Sequence, residues 1–133
     1  MKILIVDDES ANRDLLKHML QSYGECMMAE DGLEAVALFK EHLSEGNPGL
    51  VLMDIAMPNM DGHEALREIR RAEHEAYKLS LSKVNYSFII MQTVMDDPRH
   101  FIQAYLKEKC NGYITKPITQ DVLLNKLKEH NLI

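Results

Sequence analysis

The chain of 133 residues is about one domain long, and 46% hydrophobic with 27% charged residues is a globular rather than a disordered composition. With 15 Lys and Arg against 21 Asp and Glu the net charge is −6, which speaks against direct binding to nucleic acid. Cys26 and Cys110 have no metal-ligand spacing and read as small buried hydrophobes of a reducing compartment, and the apolar run at 3–6 is too short for a signal peptide. The expectation is one cytoplasmic domain over 1–133, with no membrane segment and no effector domain.

Ile3-Leu4-Ile5-Val6 has the continuous β-branched character of a strand buried on both faces. Ser10 can cap a helix whose apolar positions Ala11, Leu15, Leu16, Met19 and Leu20 recur with a period near 3.6. Residues 26–29 predict a second strand. Asp31 with Glu34 three residues on resembles a capping box, opening a helix with Val36, Phe39 and Leu43 inward. Gly46-Asn47-Pro48-Gly49 stops that helix. Residues 50–53 form a third strand that ends at Asp54, and Asp61 with Glu64 repeats the capping spacing before a third helix near His63. Residues 87–91 predict a fourth strand. Asp97-Pro98 opens a fourth helix, ended by a left-handed cap at Asn111-Gly112. Residues 113–115 predict a fifth strand, and Val122, Leu123 and Leu127 a final helix. This alternation predicts an α/β fold, a doubly wound five-stranded parallel sheet with five flanking helices.

Ligands of such sheets bind beyond the carboxyl ends of the strands. The first strand delivers Asp7 and Asp8 there, the third Asp54, the fourth Thr93 and the fifth Lys116. Taken singly, these are helix caps, a turn former and solvated loop groups; their convergence on one edge is what carries chemistry. Three carboxylates together repel one another, and a hard divalent cation, Mg²⁺ or Mn²⁺, relieves the repulsion. With Lys116 the charge is then close to neutral. Such a site can receive a phosphoryl group, and a carboxylate can itself be the nucleophile.

Asp7-Asp8, the run from Asp54 through Ile55, Ala56, Met57, Pro58, Asn59, Met60 and Asp61 to Gly62, Thr93, and the stretch from Tyr113 to Pro117 resemble the receiver domain of two-component response regulators. The sequence is close to the single-domain chemotaxis regulators of that family, and the likeness covers 2–127. It implies a flavodoxin-like fold of strand order 2-1-3-4-5. It implies a phosphorylation-controlled switch, not an enzyme beyond its own phosphotransfer and dephosphorylation. Asp54 would accept the phosphoryl group from a histidine kinase or phosphotransfer protein. Asp8 and Asp54 would bind Mg²⁺ directly, Asp7 mainly through water, and the Ala56 backbone carbonyl would add a ligand. Thr93 and Lys116 would contact the phosphoryl group, Thr93 and Tyr113 would form the switch, and the Lys116–Pro117 peptide would be cis. Output would leave by the face of the fourth helix, fifth strand and fifth helix, near Tyr105, Lys107 and Tyr113, to a downstream protein or a second copy.

Other readings use the same residues. An Asp-nucleophile Mg²⁺-dependent phosphatase wants Asp-x-Asp after its first strand, whereas Asp7 and Asp8 are adjacent. A flavin-binding relative would need a phosphate cradle where this loop is acidic. A receiver-like interaction module independent of phosphorylation has no use for the full set. The six histidines read as surface residues and the nine methionines as core filler. The stretch from Asp54 to Thr93 exceeds the family length by about two helical turns, so residues 72–85 extend the third helix or form a loop away from the site. Val94 is β-branched, and Ala56 and Met95 cannot orient water, which predicts slow self-dephosphorylation.

Overall fold

The computed structural model describes residues 1–43, 45–79, 85–94, 99, 103 and 108–133. Five strands come from the short apolar runs: β1 (Lys2–Val6), β2 (Glu25–Ala29), β3 (Leu50–Asp54), β4 (Phe88–Thr93) and β5 (Gly112–Thr115). The helices among the described residues are α1 (Ser10–Leu20), α2 (Gly32–Glu41), α3 (Gly62–Lys78) and a C-terminal helix (Gln120–Glu129). Most of the predicted fourth helix, Met95, Asp97, Pro98, Tyr105 and Lys107 among it, lies outside the described residues.

All strand pairs are parallel, in the order β2-β1-β3-β4-β5. Successive side chains of a strand point to opposite faces, so one run of residues builds two cores. Leu4, Val6, Val51, Met53, Ile89 and Met91 face α2 and α3, where they meet Phe39, Leu66 and Ile69. Ile3, Ile5, Leu50, Leu52, Ile90 and Ile114 face the other way, against Leu16, Leu20, Leu123 and Leu127. Strand order reverses between β1 and β3, which opens a crevice at their carboxyl ends. The register Asp54↔Gln92 and Thr93↔Thr115 brings the ends of three strands level there.

Both predicted N-caps hold, as the forward half of a capping box. Asp31 accepts from the Glu34 N–H at 2.8 Å and Asp61 from the Glu64 N–H at 2.9 Å. The first helix differs: Ser10 is already helical, and Glu9 stands at the N-cap without a side-chain bond. Its buried stripe is also narrower than the apolar pattern, because Ala11 is exposed and Leu15 is 47% exposed. Val122 points outward as well. The left-handed residue before β5 is Lys109, with φ 61°, and Gly112 instead begins the strand. Cys110 is buried but Cys26 only half-buried, and both are free thiols. The third helix is extended to Lys78, the first of the two arrangements expected of 72–85, and residues 80–84 lie outside the described ones. Among the described residues no helix is long and apolar enough to cross a membrane.

Candidate functional site

The crevice gathers the predicted groups. Asp7 is wholly buried: its Oδ1 accepts from the Glu9 N–H at 2.9 Å and its Oδ2 from Lys116 Nζ at 2.9 Å. Asp54 is 4% exposed and lies 3.3 Å from the same ammonium. Asp8 is exposed, yet one oxygen from each of Asp7, Asp8 and Asp54 lies within 4.8 Å of the others. Lys116 is aimed by its own backbone, whose N–H donates to the Thr93 carbonyl at 2.6 Å. The Lys116–Pro117 peptide is cis. Thr93, Ala56, Val94 and Lys116 line the same cavity of about 660 Å³ as Asp8 and Asp54.

Glycine at 62 has a local reason. A Cβ there would lie 2.2 Å from the Asp54 carbonyl oxygen, and the Gly62 N–H donates to the Ile55 carbonyl at 2.8 Å. The turn that starts α3 is thus packed directly on the backbone of the central carboxylate.

Electrostatics follow from three carboxylates and one ammonium. Burial, then the Asp7 charge, pushes the Asp54 carboxyl up from 3.8 to about 6, against the pull of Lys116. Burial works to lower the Lys116 ammonium, but its bond to Asp7 and the Asp54 charge hold it above the ordinary lysine value. Hard oxygen donors carrying excess negative charge in an open cavity suit a small divalent cation.

His63 departs from the surface role expected of the histidines. It is 5% exposed, lines the same cavity, and its Nδ1 bonds the buried carboxylate of Glu108. Arg67 bonds the other Glu108 oxygen, and Gln103 Nε2 donates to that oxygen at 3.4 Å. The helical stripe Gly62, His63, Leu66, Ile69, Glu73 and Ala76 was the available signal, since each lies three or four residues from the next apart from the initial pair. Tyr113 is half-buried on β5 and packs against the core on the α3 side.

Residues 3–128 match the response regulator receiver domain. The chain is 34% identical over 129 residues to the chemotaxis protein CheY of Halobacterium salinarum, covering 96% of this chain and 94% of that one. It is 37% identical over 127 residues to the CAI-1 autoinducer sensor kinase/phosphatase CqsS of Vibrio cholerae, where it spans 95% of its own length but 17% of the relative. Among solved structures it superposes with a TM-score of 0.81, at 28% identity, on the receiver domain of Ssk1 from Saccharomyces cerevisiae, covering 97% of this chain and 87% of that one; that domain was crystallised with the histidine phosphotransfer protein Ypd1. With fold, strand-end carboxylates and nearly full-length matches in agreement, the chain belongs to the response regulator receiver family of two-component signalling.

Proposed function

We propose that Asp54 is the phosphoacceptor of a cytoplasmic signalling switch, loaded from the phosphohistidine of a kinase or phosphotransfer protein. The observation that carries this is the pairing of a nearly buried Asp54 carboxylate with Lys116 Nζ at 3.3 Å on the wall of an open cavity. An Asp54 oxygen attacks phosphorus as the P–N bond breaks, and the departing imidazole takes up a proton. The Lys116 ammonium pairs with the phosphoryl oxygens, and the Thr93 hydroxyl donates to one of them. Asp7, Asp8, Asp54 and the Ala56 carbonyl would hold a Mg²⁺, which when bound offsets the surplus carboxylate charge and shares those oxygens. Asp7 already holds Lys116 by a 2.9 Å bond, so the ammonium is positioned before the phosphoryl group arrives. Thr93 and Tyr113 then carry the change to the surface around β5, where a downstream protein or a second copy binds.

The test is incubation with Mg²⁺ and acetyl phosphate, or with a phosphorylated histidine phosphotransfer protein, followed by intact mass and peptide mapping. One phosphoryl group on Asp54, absent from Asp54→Asn and from chelated samples, is expected. A folded protein unmodified by both donors overturns the reading, and sustained turnover of a phosphomonoester would assign a phosphatase instead.

A further inference from the structure

Asp8 is the exposed member of the three carboxylates, so packing does not set its place. The two peptides that flank it are held instead. The Glu9 N–H, in the peptide after Asp8, donates to Asp7 Oδ1 at 2.9 Å. The Asp7 carbonyl, in the peptide before it, accepts from Arg13 Nη1 at 2.7 Å. A peptide is planar, so fixing that carbonyl also fixes the direction in which the chain enters Asp8. Asp7 follows Val6, the last paired residue of β1, and its own N–H is tied to the Ala29 carbonyl at 3.1 Å.

Arg13 stands on α1, and its side chain is only 13% exposed. Its Nη2 lies 3.7 Å from Oε1 of Glu30, a residue open to solvent, and an exposed ion pair of that length contributes little. Charge does not account for the guanidinium's place either, because a cation beside a divalent-cation site opposes the ion. The short bond to the Asp7 carbonyl does account for it.

We propose that Arg13 is a positioning residue of the Mg²⁺ site. Through the Asp7–Asp8 peptide it keeps an Asp8 oxygen within 4.8 Å of those of Asp7 and Asp54, and it touches no ion itself. The proposal rests on the reading of these three carboxylates as the group that holds Mg²⁺.

The sign of one measurement separates position from charge. Arg13→Met keeps the apolar stem and removes both the donor and the charge. Loss of a positive charge alone should tighten Mg²⁺ binding, whereas loss of the held peptide should weaken it by about tenfold. Isothermal titration calorimetry of the full chain with MgCl₂ at pH 7 reads the affinity, and thermal melting checks the fold. Arg13→Lys keeps the charge and a donor on a stem one bond shorter, and should recover part of the loss. Arg13→Gln, neutral but polar and two bonds too short, should weaken binding as Arg13→Met does and replaces it if that variant fails to fold. Glu30→Gln leaves the bond to Asp7 in place and should change the affinity by less than about twofold. Unchanged or tighter binding in a folded neutral variant, or an equal loss in Glu30→Gln, overturns the role of Arg13 alone. A native chain that binds no Mg²⁺, or binds it equally well as Asp8→Asn, overturns this role together with the reading beneath it.

Discussion

Asp54 and Glu73 are both buried carboxylates beside a cation, and they sit at opposite ends of the sheet. Glu73 is wholly buried, with Oε1 2.7 Å from Arg70 Nη1 and Oε2 accepting from the Ser87 N–H at 2.6 Å. Arg70 spends its other donors on the Ser87 carbonyl at 3.0 Å, the Lys109 carbonyl at 3.1 Å and Asn111 Oδ1 at 2.7 Å. There one anion meets one cation and the hydrogen bonds close around them. At the other end one ammonium faces three carboxylates beside an open cavity. Burial raises both carboxyls, Glu73 against the pull of Arg70 and Asp54 with the added push of Asp7. Balance and closure hold α3 to the start of β4; imbalance and access leave the Asp54 end short of a cation and open to a phosphoryl group.

Breaking the closed end should have the largest effect. Arg70→Met strands the Glu73 charge in the interior and is expected to cost about 3–5 kcal/mol in urea unfolding. The fraction that remains folded should still load Asp54, since among the described residues no hydrogen bond joins the two ends. A cost below about 1 kcal/mol would mean that Glu73 escapes to solvent or takes up a proton.

Substitution at the open end should act with the opposite sign. Asp54 titrates near 6 when folded and near 3.8 when unfolded, so between those values the native state binds more protons. Its contribution is therefore fully present below about pH 4 and is lost as the pH rises through 6. Asp54→Asn removes that loss and should stabilise the protein at pH 7 by roughly 1–3 kcal/mol. Lys116 keeps its 2.9 Å bond to Asp7 in that variant. Urea midpoints from pH 4 to 7, falling in the native protein and flatter in the variant, check the sign.

The open end was the more legible of the two from sequence. Asp7, Asp8, Asp54, Thr93 and Lys116 each stand at the carboxyl end of an apolar strand, and parallel strands bring those ends to one edge whatever the details of packing. Asp31 and Asp61 were legible because a cap is a contact within three residues. The closed end depends on contacts between distant segments. Arg70 meets Asn111 across 41 positions. The same holds for His63, which lines the open cavity and meets Glu108 across 45. The stripe on α3 marks His63 and Glu73 as inward, but only the packing of α3 on β4 and on the turn before β5 supplies their partners. Leu15 misled in the opposite direction, since helical periodicity gives a direction around the axis and not the width of the surface covered.

A divalent cation sharpens the contrast further. At pH 7 and about ten times its dissociation constant, Mg²⁺ should stabilise the native chain by about 1.4 kcal/mol. The gain should fall as the pH drops below 6, where protons compete for Asp54, and should shrink in Asp8→Asn. Arg70→Met should show the same gain as the native chain, because the closed end has no part in holding the ion. An equal gain in Asp8→Asn would move the ion elsewhere.

The smallest effect on stability, and the most local one on chemistry, belongs to Val94. It is 71% exposed at the end of β4 and lines the cavity that holds Asp54 and Lys116. Exposure means that Val94→Ala should change stability by no more than about 0.5 kcal/mol. Hydrolysis of phosphorylated Asp54 needs a water in line with the bond to be broken, and a stiff β-branched side chain on the cavity wall obstructs that approach. Ala56, on the same wall, has no polar side chain to orient the water. Removing the two methyl groups should therefore speed phosphate loss by on the order of threefold, less than about 1 kcal/mol of barrier. Phosphate release timed in Mg²⁺ reads this directly. Decay that is unchanged or slower would show that water reaches the phosphoryl group from another side, and Val94 would then have no part in its lifetime.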